Sequence, residues 1–421
     1  MKLFIRRLES DWPSWLAVAF IALLPFGRLA EIPLSTFAVA LAFLAHSVDR
    51  RRQIRCAARF VLPLFLCYWL PMALSAFDSM DPGKSWLQSV AALRYLAAAL
   101  ALSVLLQPPS ARERVLRWTA WLLLFWAVDG FIQLWFGRDL FGIAMHPDRL
   151  NALFVDKYQF FGPTLAMLSP LVLEHARRQW RPWAWAASFA LILGAVLIAG
   201  MRAGWLTMVI VLATYMALML KRENRELRRT ILTIPVLAML VLAASYFASP
   251  LFQERIDATQ AFATGAGTAL DRSSMERIPI FRAALKMYRE HPVNGVGVRA
   301  FPEAYMHYAE ADDIHIRKSG GKSGATHAHN VLLELMSDTG TIGLLGLVLA
   351  LIFLWKHGAR TTPAERRDAF PFALAVLLIL FPFNSHFAIY GTYTSSLLWF
   401  LMGLWGAALR LNDRGSGPGS G

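Results

Sequence analysis

The sequence predicts an all-α polytopic membrane protein with about twelve transmembrane helices and one large polar loop on the side away from the cytoplasm. Three observations predict it. Of 421 residues, 57% are hydrophobic and only 17% charged, with a positive mean hydropathy, which is more apolar surface than a water-soluble chain of this length buries. Apolar runs long enough to cross about 30 Å of hydrocarbon recur along the chain. Lys and Arg fall on alternate loops between those runs.

The runs lie near residues 13–29, 32–48, 58–76, 86–106, 114–136, 158–174, 182–200, 203–220, 230–249, 330–355, 368–386 and 391–410. One side of the predicted membrane collects Lys2, Arg6 and Arg7, the group from Arg50 to Arg59, Arg112 to Arg117, Arg177 to Arg181, Lys221 to Arg229, Lys356 to Arg367, and Arg410 with Arg414. The intervening short loops hold only Arg28, Lys84, Arg138, Arg149, Lys157 and Arg202. This roughly fourfold excess puts both termini in the cytoplasm, because cytoplasmic loops retain positive charge. The formal charge of +14 is thereby assigned to topology, and no nucleic-acid partner is expected.

Residues 250–328 break the rhythm with about eighty mostly polar positions between the ninth and tenth runs, too long for a plain connector. From Met275 to Tyr288, apolar residues at helical spacing (Ile278, Phe281, Ala284, Leu285) predict an amphipathic helix. His291-Pro292 and the glycines of NGVG end it. A second polar loop, 137–157, lies on the same side. Cys56 and Cys67 form no CxxC pair, and a disulfide between them is not expected. The basic start leads into a first membrane helix rather than a cleaved signal, and the tail GSGPGSG reads as an appended linker.

Three constellations carry chemistry. In THAHN, His329 and Asn330 stand where the long loop meets the tenth run, beside His327. An imidazole at a membrane boundary next to an amide that orients it suits a general base; a polar cap on the helix is the plain alternative. A metal reading of these histidines with His307, Asp312, Asp313 and His315 is weaker, and no metal is expected. Arg202 occupies a tight turn on the positive-depleted side, which fits either phosphate binding by its planar fork or a snorkelling side chain. Arg282, Lys286 and Arg289 form a basic stripe on the loop helix, with Arg277 about a turn before it; this stripe either attracts a phosphorylated ligand or is a solvated face. Arg94 is expected to pair with Asp129 in the next span. Gly321-Lys322-Ser323 is no P-loop, since Ile316 stands where a glycine is needed, and Gly295 to Ala300 matches GxGxxA without a βαβ unit, so a turn is expected.

Taken in order, the spans, the short Arg-Ala-Gly turn, the loop RIPIFRAALKMYREHPVNGVGVRAF and HAHNVLLELMSDTGTIGLLG resemble the O-antigen ligase and polymerase superfamily. The resemblance implies a GT-C type glycosyltransferase in the bacterial inner membrane, with the long loop in the periplasm. Residues 1–249 would hold helices one to nine, 250–328 the periplasmic loop domain, 329–411 helices ten to twelve, and 412–421 the tail. It implies transfer of a glycan from undecaprenyl pyrophosphate to a sugar hydroxyl of lipid A-core, with inversion and without cofactor or metal. His329 would be the general base, Arg202, Arg277 and Arg282 the pyrophosphate ligands, and His327 and Asn330 supports; both Arg277 and Arg282 match the family's loop arginine. The O-antigen polymerase and the protein O-oligosaccharyltransferases are alternatives within the superfamily. A small-anion transporter is the alternative of another class, disfavoured because Arg94 and Asp129 are nearly alone at mid-membrane.

Overall fold

A computed structural model describes residues 2–147, 149–155, 158–220, 225–250, 252–254, 256–257, 276–310, 312–383 and 387–409. The described chain is helical, and its only extended pairings are isolated bridges, Arg138 with Ala144 and His146 with Arg149, in the 137–157 loop. The helices are α1 (Lys2–Leu23), α2 (Glu31–Leu44), α3 (Val48–Ser75), α4 (Pro82–Leu105), α5 (Pro109–Phe136), α6 (Phe161–Gln179), α7 (Pro182–Ile198), α8 (Arg202–Leu220), α9 (Arg225–Ala248), α10 (Arg277–Glu290), α11 (Phe301–Tyr308), α12 (Ile314–Lys318), α13 (Val331–Ala359), α14 (Pro363–Ile379) and α15 (Thr392–Ala408).

The apolar runs of the sequence overlap these helices; residues 384–386 and 410 of the last two runs lie outside the described residues. Among the described residues, five helical stretches are long and apolar enough to cross a membrane: Asp11–Leu44, Val48–Ser75, Pro82–Leu105, Pro109–Phe136 and Val331–Ala359. The protein is therefore a helical membrane protein. The first two runs lie on α1 and α2, which follow one another across a kink where Phe26 and Gly27 leave helical geometry. Leu-Pro-Phe-Gly breaks the backbone ladder there without supplying a polar loop. The remaining apolar helices include shorter ones, Pro182–Ile198, Arg202–Leu218 and Val236–Ala248.

The chain forms two compact units. The first comprises Met1–Pro13, Glu31–Arg112 and Leu270–Gly421. Within it α4 packs against α2, α3 and α15, and α13 against α3 and α10. Small residues set these approaches: a Cβ on Gly403 would lie 2.7 Å from that of Leu102, and one on Gly406 2.5 Å from the Ser103 hydroxyl. Lipid tails offer helices no hydrophobic reason to associate, so close backbone contact supplies the attraction. Buried Arg112 donates to the carbonyls of Leu106 and Ala407, each at 3.1 Å, closing the carbonyl ends of α4 and α15. Arg94 pairs not with Asp129 but with Glu31, through two bonds to Oε2 at 3.0 and 3.2 Å. A carboxylate on the helix that packs against α4 was the nearer answer to this charge. Cys56 and Cys67 are both free thiols on α3.

The second unit comprises Ser14–Ala30 and Glu113–Ala269. Here α6 packs on α7 and α8, and α7 on α9. Asp129 accepts from the Leu140 amide at 2.9 Å. Gln133 accepts from the amides of Asn151 and Ala152 at 3.2 and 2.8 Å, so α5 shapes the 137–157 loop from below. Glu174, 1% exposed, is answered by Arg177 and Arg178 at 2.5 and 2.7 Å.

Candidate functional site

The site grows from a short apolar core within the first unit. The spacing that predicted an amphipathic helix buries Ile280, Ala283, Ala284 and Met287 of α10 against Val296, Phe301, Ala304, Tyr305, Ala325 and Ala328. The helix ends at His291, whose amide bonds back to Met287 at 2.8 Å, as the His-Pro pair predicted. Ala328 is fully buried in this core, and its neighbours are His327 and His329. His329 takes φ +52°, in the left-handed region. The chain then turns into α13, where Asn330 Oδ1 accepts from the amides of Leu332 and Leu333 at 3.0 and 3.2 Å. The oxygen expected to support the imidazole is thus the helix N-cap, satisfying donors that the first turn leaves open.

The two histidine rings are 3.9 Å apart between centroids and tilted by 45°. His327 Nδ1 bonds the Thr326 hydroxyl at 3.1 Å, while its Nε2 is buried with no hydrogen-bond partner among the described residues. Burial first, then the charges of His329, Arg299 and Arg277, hold the His327 imidazole well below the usual histidine range. The charge of Arg277, from the first position of α10, thus acts on His327.

Arg282 does not share that place. Five residues on from Arg277, it is turned about 140° around the helix, and its guanidinium stands exposed at 3.5 Å from Glu310. Lys286, next on the expected stripe, donates to the Tyr308 carbonyl at 3.5 Å. Asp313, weighed as a metal ligand, accepts from the Tyr305 hydroxyl at 2.8 Å and caps α12 through the amides of His315 and Ile316 at 2.8 and 3.1 Å. His315 Nε2 bonds the Glu276 carbonyl at 2.7 Å.

The GxGxxA stretch is the turn that the sequence predicts, and it does more than turn. Gly340 interrupts α13 with φ +62°, and residues 292–299 fill the break with their backbone. The amides of Val296 and Gly297 donate to the carbonyls of Ser337 and Asp338 at 2.7 and 3.1 Å, and those of Thr341 and Ile342 donate to Pro292 and Val293 at 2.9 and 3.1 Å. On its other side, the loop receives Ser85 Oγ at the Val298 carbonyl (2.7 Å) and gives the Val298 amide to Ser75 Oγ (3.1 Å). Backbone groups freed inside a span-length helix must find partners, and this loop supplies them.

This insertion brings in three residues that the sequence reading passed over. Arg299 adopts φ +64°, and its amide donates to Asp338 Oδ2 at 3.3 Å. Asp338, 3% exposed, also accepts from Ser337 Oγ at 3.1 Å. Glu334, 2% exposed, accepts weakly from the Tyr390 amide at 3.4 Å, while its Oε2 is buried without a partner among the described residues. Two carboxylates four apart in an apolar run are the signal that flags such a place, since ionisable groups at membrane depth are expensive. Arg299 had no signal of its own in the sequence.

Arg202 belongs to the second unit. It begins α8 directly after Gly200, which takes φ +71°, and Met201. The glycine of its Arg-Ala-Gly turn has a packing reason: a Cβ on Gly204 would meet Val196 Cγ1 at 3.1 Å. A cation on the first turn of a helix is opposed by the macrodipole, so capping does not account for Arg202.

A comparison with curated proteins gives no match. The stretch 187–348, which contains Arg202, Arg277, Arg282, Arg299, His327, His329, Asn330, Glu334 and Asp338, matches the family described as O-antigen ligase, and this match supports placing the chain in the O-antigen ligase and polymerase superfamily.

Proposed function

We propose that this glycosyltransferase-type membrane enzyme is an O-antigen ligase, moving a glycan from undecaprenyl pyrophosphate to a sugar hydroxyl of lipid A-core at the periplasmic face of the inner membrane. The superfamily in general takes a lipid-linked sugar and a lipid acceptor. The observation that carries the reading is the close pair His327 and His329, ring centroids 3.9 Å apart just before α13, a helix long enough to span, with the Arg277 charge acting on His327. A base and a fixed cation at the end of a membrane helix are what transfer between two lipid-anchored substrates requires.

In the proposed reaction the acceptor oxygen attacks the anomeric carbon while His329 takes its proton. The bond from that carbon to the phosphate oxygen breaks on the opposite side, its electron pair leaves with undecaprenyl pyrophosphate, and the anomeric centre inverts. Arg277, rather than Arg282 with its Glu310 partner, meets the developing negative charge; Arg202 of the second unit is proposed separately as a phosphate ligand. Such electrostatic stabilisation needs no metal or cofactor. Twelve spans of GT-C type, with both termini cytoplasmic, complete the proposal; the alternation of Lys and Arg along the sequence supports that topology.

The test supplies purified protein in nanodiscs with the lipid-linked glycan and lipid A-core, with a chelator present. Extended lipid A-core is the expected product. A longer lipid-linked glycan would make the protein a polymerase. No transfer, together with solute counterflow that survives His329→Ala, would make it a transporter.

A further inference from the structure

Arg299 is an exposed cation on a buried loop. Its backbone is fixed by the amide bond to Asp338 and by the neighbouring bonds of Val296, Gly297 and Val298, so the residue has little freedom. It pays for that place with a left-handed φ of +64°, which a side-chain-bearing residue rarely adopts. Its charge acts on His327 and on the buried carboxylates of Glu334 and Asp338. Yet its guanidinium makes no ion pair or hydrogen bond among the described residues. An arginine serving only to neutralise Glu334 and Asp338 would be drawn into bonding distance of them. Arg277 reaches the same histidine from α10. The charges of Arg299 and Arg277 thus act on one imidazole from separate elements, a loop and a helix that pack in the same apolar core through Val296, Phe301 and Ile280.

We propose that Arg299 is a phosphate-binding residue which, with Arg277, forms a two-armed clamp for the diphosphate of the lipid donor. The inference rests on the proposed use of a lipid diphosphate. The planar fork of Arg299 offers five donors to phosphoryl oxygens. Asp338 is the positioning residue: it holds the Arg299 amide, and through its carbonyl the Gly297 amide, so that the arm is set before the ligand arrives.

The test measures affinity for undecaprenyl diphosphate, and separately for lipid A-core, with the full chain in nanodiscs. Arg299→Gly removes the fork and at the same time relieves the left-handed backbone, so a merely structural arginine would be replaced at no loss. The expected result is a melting temperature that holds or rises while diphosphate affinity falls about tenfold or more. Arg299→Lys, which keeps the charge but not the fork, is expected to fall between, and Arg317→Ala, which removes an exposed charge from α12, to stay within about twofold. Wild-type affinity in both Arg299→Gly and Arg299→Lys overturns the clamp and leaves the proposed function standing. A loss confined to lipid A-core assigns Arg299 to a phosphate of the acceptor instead and overturns the donor clamp. If the wild-type protein binds no lipid diphosphate, the clamp and the proposed function fall together.

Discussion

The carbonyl of Val293 occupies the space that a side chain on Gly340 would need. A Cβ built on Gly340 also falls 2.7 Å from the Asn294 amide nitrogen, and Gly340 takes φ +62°. The interruption of α13 and the seating of the 292–299 loop are therefore one feature: the helix opens at Gly340 because the loop backbone enters there.

Gly340→Ala is accordingly expected to cost about 2 kcal/mol or more, since it adds left-handed strain to a collision with backbone that has no room to retreat. Thermal unfolding of the purified variant checks this. An alanine protein as stable as the wild type would show that the loop is not seated in the break.

His329 and Asn330 are adjacent in sequence and differ in what they are expected to do. His329→Ala should lower transfer by about two to four orders of magnitude with little change in melting. Asn330→Ala should cost about 1 kcal/mol of stability through loss of the N-cap, and Asn330→Asp, which keeps a cap oxygen, should recover it. Near-normal transfer by His329→Ala removes His329 from the mechanism.

Arg202 tests phosphate recognition in the second unit. Arg202→Ala is expected to impair use of the lipid-linked donor more than Arg202→Lys, because lysine retains the charge and loses the bidentate fork. The measurement is kcat/KM for the donor at saturating acceptor. Equal effects of the two substitutions, or none, argue against a diphosphate contact there.

His327 gives the protein an acid limb. Its folded pKa lies below its unfolded value of about 6.5, so below that pH the unfolded chain binds a proton that the folded chain refuses. Stability from this group is full above about pH 6.5 and is lost as pH falls through the window beneath it, at up to about 1.4 kcal/mol per pH unit. His327→Gln, with no proton to gain, should flatten that limb of the melting-temperature profile. An unchanged limb would show that His327 is not the group responsible.

Much of this was legible along the chain. The apolar runs, the amphipathic stretch before His291, the turn at Gly295 to Ala300 and the polar head of α13 are all local patterns, in which spacing alone decides which face is apolar and where backbone geometry must break. The pairing of Arg94 with Glu31 was not legible, because span order does not say which helix lies against which. The geometry of the kink at Phe26 and Gly27 was not legible either: hydropathy marks where a helix is apolar, not how the backbone passes from one apolar stretch to the next.

Composition and periodicity by themselves determined that this chain lives in a membrane as helices and pointed to the long loop for its candidate chemistry, since both follow from the side chains each segment carries. The tertiary structure alone decided which charged residues are neighbours. Helix rotation directs Arg277 and Arg282 differently, and backbone exchange across the gap at Gly340 lodges Arg299 against Asp338 across 39 positions of sequence. Such a meeting depends on how the backbone of one segment satisfies that of another, and no local pattern records it.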